Sequence, residues 1–581
     1  MYYPGDKQTI VLRTADSVSS ELKEWPPLLA KIFATRGIAL ASELDRSLAS
    51  LPSPWAIVGM EGMVTALIDA LRQSVCICIV ADFDADGATS CAVALRGLTL
   101  LGAKHVKFIV PNRFEFGYGL TPEIVEVVAQ LNAHLIITVD NGISSIDGVA
   151  AAQAKGIRVL ITDHHLPGAS LPKATAIVNP NNPGNEAQFK DLAGVGVIFY
   201  VLMALRSRLR EQGWFAEQGL QEPNLAQLLD FVALGTVADV VPLSRVNRIL
   251  VHQGLLRIRA GAAHEGIKAL LQVSGKTAST LAAADLGFAL GPRLNAAGRM
   301  DDMSLGIQCL ITNDAGLAHS IALQLDDLNN DRKDIETQMK RQALALLNEM
   351  RLADSKHLSS GICLYDENWH QGVIGILAGR IKDRLHRPVI AFAPAGKDTI
   401  KGSARSIPGL HIRDVLSDIA ATQPKLLTKF GGHAMAAGLT IAMHDLPAFT
   451  LMFDEMVNRR LTQLDLEQKV WSDGVLSEYE MTLATADLIQ NAATWGQTFP
   501  EPVFHGQFEV VQARIVGQKH LKLVLRLNNS SLLIDGIAFF VEQVEHWQGV
   551  RSVLAAYKLA VNDYQGKRSV QFIIQYLEKL A

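Results

Sequence analysis

The sequence predicts an α/β protein in two parts, joined by a long helix and followed by a small β-barrel. Three observations predict it. Between residues 56 and 275 short apolar runs alternate with helix-like segments, the pattern of a parallel sheet with helices on both faces. From Leu317 to Ser360 there is no glycine or proline, and apolar residues recur at helical intervals. Beyond residue 466 the periodicity changes to the alternation of strands.

At about 150 residues per domain, 581 residues suffice for roughly four domains. Hydrophobic residues at 49% and charged residues at 19% exclude a disordered chain. Lysine and arginine total 54 against 58 aspartates and glutamates, a net charge of −4, so any nucleic-acid contact has to rest on local basic patches. The five cysteines, Cys76, Cys78, Cys91, Cys309 and Cys363, are odd in number and lie mostly in apolar patterns. Reduced core residues in a cytoplasmic protein are expected.

Residues 1–55 read as a helical lead-in punctuated by Pro26, Pro27, Pro52 and Pro54. The opening Met1-Tyr-Tyr-Pro-Gly-Asp lacks a signal-peptide pattern. The longest apolar run, Leu192 to Leu205, is too short to span a bilayer and reads as a buried helix, so no membrane contact is expected.

The apolar run Val75–Val80 reads as a buried strand, and it opens into Asp82-Phe-Asp-Ala-Asp-Gly87 before a helix from Ala88 to Leu101. Gly87 is expected to free the backbone to turn. Alternating carboxylates raise one another's pKa unless a cation sits among them, and hard divalent cations take oxygen ligands. Two further strands, His134–Val139 and Gly156–Ile161, end in Asp140-Asn-Gly and Thr162-Asp-His-His-Leu-Pro167. In parallel α/β sheets the carboxyl ends of the strands form the binding crevice, so these groups converge although they are far apart in sequence. Asp239, alone in the apolar stretch Leu234–Pro242, is a fourth candidate. A strand at Val106–Val110 leads into a glycine-rich loop in which Arg113 is suited to phosphate and Tyr118 to a base.

Residues 276–357 read as a connector. Within it Gly291-Pro-Arg-Leu-Asn-Ala-Ala-Gly-Arg299 is expected to be a loop whose small residues and arginines, Arg299 among them, admit a phosphate backbone. The glycine-free stretch predicts a helix of thirty-odd residues, on the order of 50 Å long, acting as a rigid spacer. Residues 358–465 begin a second α/β pattern with two polar glycine motifs expected to be loops. Lys401-Gly-Ser-Ala-Arg-Ser406 offers Ser403 and Arg405, and Phe430-Gly-Gly-His433 offers the amides of Gly431 and Gly432 and the imidazole of His433. Turning glycine amides and a guanidinium suit an anion. Residues 466–581 hold five or so strands, and Tyr557 and Tyr564 beside basic side chains suit the way OB-folds stack single strands.

The motifs Asp82-Phe-Asp-Ala-Asp-Gly87, Val139-Asp-Asn-Gly142, Asp163-His-His165 and Gly235-Thr-Val-Ala-Asp239 together resemble those of the DHH phosphoesterase superfamily. Nearly end to end, the chain is similar to its single-strand-specific exonucleases. The resemblance implies a DHH catalytic domain over 56–275, a DHH-associated substrate-binding domain over 358–465 and an OB-like nucleic-acid-binding domain over 466–581. It implies two divalent cations, Mn²⁺ or Mg²⁺, bridged by Asp140. One would be held by Asp84 with Asp82 near, the other by Asp86, His164 and Asp239. Many relatives carry a histidine upstream where this chain has only the aspartate triplet, which leaves the split between Asp82 and Asp84 open. His165 is expected to face the phosphate and, with Asp140, to serve catalysis.

The implied activity is release of 5′-mononucleotides from single-stranded DNA, 5′ to 3′, in DNA repair and recombination. A single-stranded DNA-binding protein and a strand-supplying helicase are implied partners. The alternatives are a DHH phosphodiesterase for short oligonucleotides or cyclic dinucleotides, and a non-catalytic strand-binding relative.

Overall fold

The structure is a computed structural model and describes residues 8–112, 118–353, 359–517, 519–528, 530–541, 544–564 and 566–580. Arg113 lies outside them, as does the side chain of Tyr564. The chain packs as two compact units. One comprises Ala41–Arg332 with Thr494–Pro500, and the other comprises the described residues up to Leu40, Lys333–Ala493 and those from Glu501 onward. The N-terminal segment therefore divides at Leu40 rather than forming a single lead-in. It also carries a strand that the sequence pattern does not reveal, β1 (Thr9–Leu12), paired in parallel with residues 469–472.

The first unit is built on five parallel strands: β2 (Ile77–Ala81), β3 (Val106–Ile109), β4 (Leu135–Val139), β5 (Arg158–Thr162) and β6 (Ala176–Val178), in the order β3-β2-β4-β5-β6. Every residue of β2 and β4 is buried, as expected of strands covered on both faces and seen in their unbroken apolar runs. Cys78, Val80, Ile136, Val159 and Ile161 pack against Ile124, Val128 and Val149. Each such side chain contributes about 1.5–3 kcal/mol by leaving water. Most of the apolar run Leu192–Leu205 lies in the helix Gly194–Glu211, buried along most of its length. No single helix among the described residues is long and apolar enough to cross a membrane.

The described part of the glycine-free stretch up to Ala353 belongs to one helix, Ala315–Ala353, of 39 residues. The second unit holds β7 (Ile362–Tyr365), β8 (Val389–Pro394), β9 (Thr399–Arg405), β10 (Lys429–Gly432) and β11 (Ala436–Ala442), in the order β10-β11-β9-β8-β7. Only β7 and β8 run in parallel. The first glycine motif, expected to be a loop, lies in β9, and the second, Phe430–Gly438, is the hairpin of β10 and β11 with its turn at His433–Met435. Gly402 packs beneath Phe392 and Leu439, where no side chain would fit, so its glycine answers to packing rather than to a turn.

After β12 (Lys469–Ser472) come the barrel strands β13 (Phe504–Val516), β14 (His520–Leu527), β15 (Leu533–Ala538), β16 (Ser552–Tyr564) and β17 (Lys567–Lys579). They close in the order β13-β14-β15-β17-β16. Tyr557 does not face solvent. It is buried in the barrel with its ring stacked 3.7 Å from Phe572, on the inward side it shares with Val553, Ala555 and Leu559. Asp473, beside β12, forms ion pairs with Arg36 and Arg13 and ties the N-terminal segment to this unit. The five cysteines are free thiols.

Candidate active site

The register of the parallel sheet sets the site. Ala81 of β2 lies opposite Val139 of β4, and Val139 lies opposite Thr162 of β5. The next residues on these neighbouring strands are Asp82, Asp140 and Asp163, so three acids leave the sheet side by side. The ladder continues one step further: the Asp82 N–H donates to Val139 O (3.3 Å) and the Asp140 N–H to Thr162 O (3.0 Å). The order β3-β2-β4 places Asp82 and Asp140 on either side of the point where strand order reverses, the crevice in which open α/β sheets bind ligands.

Local backbone then aims each carboxylate. Asp140 sits in the left-handed region at φ 61°, a conformation that costs a non-glycine residue on the order of 1–3 kcal/mol. Asp84 caps the helix Ala85–Leu100, accepting the Gly87 N–H at 3.0 Å. Gly87 itself is helical, not a turn. A Cβ there would lie 2.4 Å from the Asp82 carbonyl oxygen, so glycine is required for close approach. Asp86 accepts the N–H groups of Gly194 (2.6 Å) and Val195 (2.9 Å), at the positive end of a helix. Asp239 ends the helix Leu229–Ala238, and Val240 after it is left-handed at φ 62°.

The ligand-type atoms converge in three triplets, each with its atoms within 4.8 Å of one another: Asp82, Asp84 and Asp140; Asp86, His164 and Asp239; Asp140, His164 and His165. His164 Nε2 lies 3.1 Å from Asp140 Oδ1 and 3.5 Å from Asp239 Oδ2. Asp140 Oδ1 is buried and accepts no hydrogen bond. Burial, then the charge of Asp239, pushes the Asp86 carboxyl up to about 7. Burial, then Asp84, pushes Asp239 up to about 8. Burial and neighbouring acids likewise hold Asp82 and Asp140 well above the ordinary carboxylate range. Oxygen-rich donors with one imidazole, gathered around an orphaned buried oxygen, fit hard or borderline divalent cations.

Asp163 behaves differently. Its Oδ2 accepts the Ile143 N–H (2.9 Å), and its Oδ1 accepts the N–H groups of His164 (2.7 Å) and His165 (3.0 Å). Burial favours its protonated form, but the bond to His165, the charges of His165 and His164 and the Ile143 N–H together outweigh that and lower Asp163 below the usual range. Burial disfavours a charged His165 ring, but Asp163 lifts it to about 9. The Tyr118 hydroxyl lies 3.3 Å from the same ring, and Asn179 and Asn181 donate to the carbonyls of His165 and His164. Sequence reasoning quoted Asp163 within a motif but missed its role and both asparagines, which no local pattern marks.

The stretch Gly291–Arg299 is a helix, Gly291–Met300, rather than a loop. Proline is tolerated in a first helical turn, which explains Pro292. Asn295 Oδ1 accepts the Ala85 N–H at 2.9 Å, and a Cβ on Gly298 would lie 1.7 Å from the Phe83 carbonyl oxygen. This helix therefore clamps the segment carrying Asp82, Asp84 and Asp86. Arg299 stands in its last turn, while Arg293 is engaged by Asp326 at 2.8 Å.

In the second unit, Ser403, Arg405, Gly431 and Gly432 lie on neighbouring strands, and His433 directly follows β10. Ser403 lies opposite Gly438 of β11, and Gly438 lies opposite Gly431 of β10. The Arg405 guanidinium donates to Ser403 Oγ at 3.1 Å. Gly375, in the first turn of the helix Ile374–Leu385, makes room for it: a Cβ there would be 2.7 Å from Arg405 Nη2. Sequence reasoning missed Gly375. In the barrel, Lys522, Arg526 and Arg568 are ion-paired with Asp535, Glu509 and Asp487.

Three family models match the chain. The model described as DHH family, N-terminal domain, matches residues 76–236, the DHHA1 domain matches 358–459, and the RecJ OB domain matches 472–576. The chain is 51% identical over 565 residues to the single-stranded-DNA-specific exonuclease RecJ of Salmonella typhimurium, covering 97% of each. It is 29% identical to RecJ of Thermus thermophilus in complex with Mn²⁺, with a TM-score of 0.79 over 99% of this chain and 80% of that one. The Mg²⁺ complex of that protein aligns with a TM-score of 0.74 at 27% identity over 99% and 79%. The ordered aspartate and histidine motifs on a parallel sheet, the second α/β sheet and the closed barrel thus coincide with full-length sequence identity, and the chain belongs to the RecJ family of DHH proteins.

Proposed function

We propose that this chain is a metal-dependent exonuclease that removes 5′-mononucleotides from single-stranded DNA in the 5′ to 3′ direction. The observation that carries the reading is the sharing of Asp140 and His164 between triplets of ligand-type atoms around a buried, unbonded carboxylate oxygen. The relatives' activity on single-stranded DNA supports the substrate, and the resemblance of the motifs implies the polarity. Residues 56–275 would carry the hydrolysis, 358–465 the grip on phosphate and 466–581 further strand contacts. Such an enzyme acts in DNA repair and recombination beside a helicase that supplies single strands and a protein that coats them.

In this reading Asp82, Asp84 and Asp140 hold one divalent cation, and Asp86, His164, Asp239 and Asp140 hold the other. Bound there, Mn²⁺ or Mg²⁺ ions supply an activated water and neutralise charge on the attacking and leaving oxygens. Asp140 joins the two sets because, among the described residues, it alone shares one triplet with Asp82 and Asp84 and another with His164. Asp163 keeps a proton on His165, whose ring donates to the scissile phosphate or to the departing oxygen. Tyr118, beside that ring and edge-on to Phe83, borders the place of the terminal nucleotide.

The test uses single-stranded DNA labelled at the 5′ end, at the 3′ end or blocked at both, with Mn²⁺, Mg²⁺ or chelator. Prompt release of the 5′ label as a mononucleotide, abolished by chelator, is the expected result. Cleavage confined to substrates of a few nucleotides would replace the reading with a short-oligonucleotide phosphodiesterase. Strand binding without cleavage under any metal would replace it with a binding protein.

A further inference from the structure

The face of the second unit that carries Ser403 and Arg405 continues beyond them. Along β9, Lys401, Ser403 and Arg405 alternate with the buried Ile400, Gly402 and Ala404, so the three polar residues share one side of the sheet. The pairing carries each of them across to the neighbouring strands. Ser403 leads to Gly438 and then Gly431, and Lys401 leads to Thr440 and then Lys429. Two rungs result, about 6.6 Å apart along the strands.

The rungs differ in character. At Gly431 and Gly438 an added Cβ would meet nothing within 4 Å, so the Ser403 rung is open floor with bare backbone. The next rung sets a lysine on each side of Thr440, with their strands about 10 Å apart. Both lysines are exposed, and among the described residues neither has an ion-pair or hydrogen-bond partner. Two unpaired ammoniums flanking a hydroxyl, one step from the Ser403 rung to which the Arg405 guanidinium reaches, repeat the positive charge at about the interval of one nucleotide in an extended strand.

We propose that Lys401 and Lys429 form a second phosphate-binding rung, taking a backbone phosphate of single-stranded nucleic acid one step along from the phosphate at Ser403 and Arg405. The inference rests on the exonuclease reading and deepens it. A site with two rungs grips a chain, whereas one rung serves an isolated phosphodiester. Contacts of this kind are sequence-independent and fall with salt, because each neutralised phosphate releases counterions.

The experiment is a fluorescence anisotropy titration of a labelled deoxythymidine 20-mer against the full chain in chelator, which prevents cleavage, across a salt series. Native protein, Lys401→Ala/Lys429→Ala and Lys401→Arg/Lys429→Arg are compared, with folding checked by thermal melting. For the alanine pair the slope of log affinity against log salt is expected to be shallower by about 1.4, as for two lost cation contacts on a single strand. The arginine pair is expected to restore it. An unchanged slope in the folded alanine pair overturns the proposal, as does a slope that arginine fails to restore. Failure of the native protein to bind or cut any strand would instead remove the exonuclease reading.

Discussion

Asp163 Oδ1 stands 2.7 Å from His165 Nδ1, and the same carboxylate is fixed by three backbone N–H groups. An acid that follows its strand at the same level as Asp82 and Asp140 is thereby spent on orienting and charging a histidine. Asp163→Asn should leave the fold intact and lower the cleavage rate by about 10–100-fold, the usual effect of removing a partner that orients a site residue. Asp163 lifts His165 to about 9, so its loss should move the alkaline limb of the pH–rate profile to lower pH. An alkaline limb in the same place would exclude this role for Asp163.

Asp140→Ala removes the group common to two triplets. Cleavage should fall by at least about 10³-fold, the several kcal/mol that cations supply at such sites. Strand binding in chelator should remain close to native, since the barrel and the second sheet are untouched. A single-turnover assay beside a binding titration checks both.

Stability of the metal-free protein should fall as pH rises from about 4 to about 8. Asp86 (about 7) and Asp239 (about 8), with Asp82 and Asp140 also raised, keep protons that the unfolded chain gives up near pH 4. The folded state then binds more protons in that window, and stability declines with pH. His165 acts in the same direction up to about 9. Melting curves in chelator should shift down across this range, and Mn²⁺ should raise the melting temperature most at the alkaline end while releasing protons.

Gly298→Ala places a methyl group against the Phe83 carbonyl, a backbone atom that cannot swing aside. The clamp helix or the Asp82–Asp86 segment has to shift. A loss of about 1–3 kcal/mol is expected, together with weaker Mn²⁺ binding by calorimetry. A variant with native metal affinity would detach this helix from the site.

Tyr557→Phe and Tyr557→Ala separate a packing role from base stacking. The Tyr557 hydroxyl is buried without a hydrogen-bond partner, so phenylalanine should be tolerated with strand affinity unchanged. Alanine opens a cavity beside Phe572 and Phe508 and should cost about 3–5 kcal/mol. Thermal melts with strand titrations distinguish the two.

The pattern of residues by itself determined the parallel sheet, the long helix, the barrel and the residue types of the metal cluster. Unbroken apolar runs such as Ile77–Ala81 mark strands buried on both faces, and the alternation of Leu521, Leu523 and Leu525 marks a wall with one side inward. Acids placed directly after such runs read as one crevice because parallel strands share a carboxyl end. Long-range packing decided the rest. The pairing of Thr9 with Lys469, the helix over Gly291–Met300 and the stacking of Tyr557 on Phe572 depend on partners in other elements. Gly87 and Gly298 looked like turn or loop glycines, yet each is needed for the carbonyl that stands against it, as Gly375 is for a guanidinium. A single chain segment carries no information about which surface will face it. Only the assembled fold, through the register that sets Asp82 beside Asp140 and Ser403 beside Gly438, decides which of its polar groups meet.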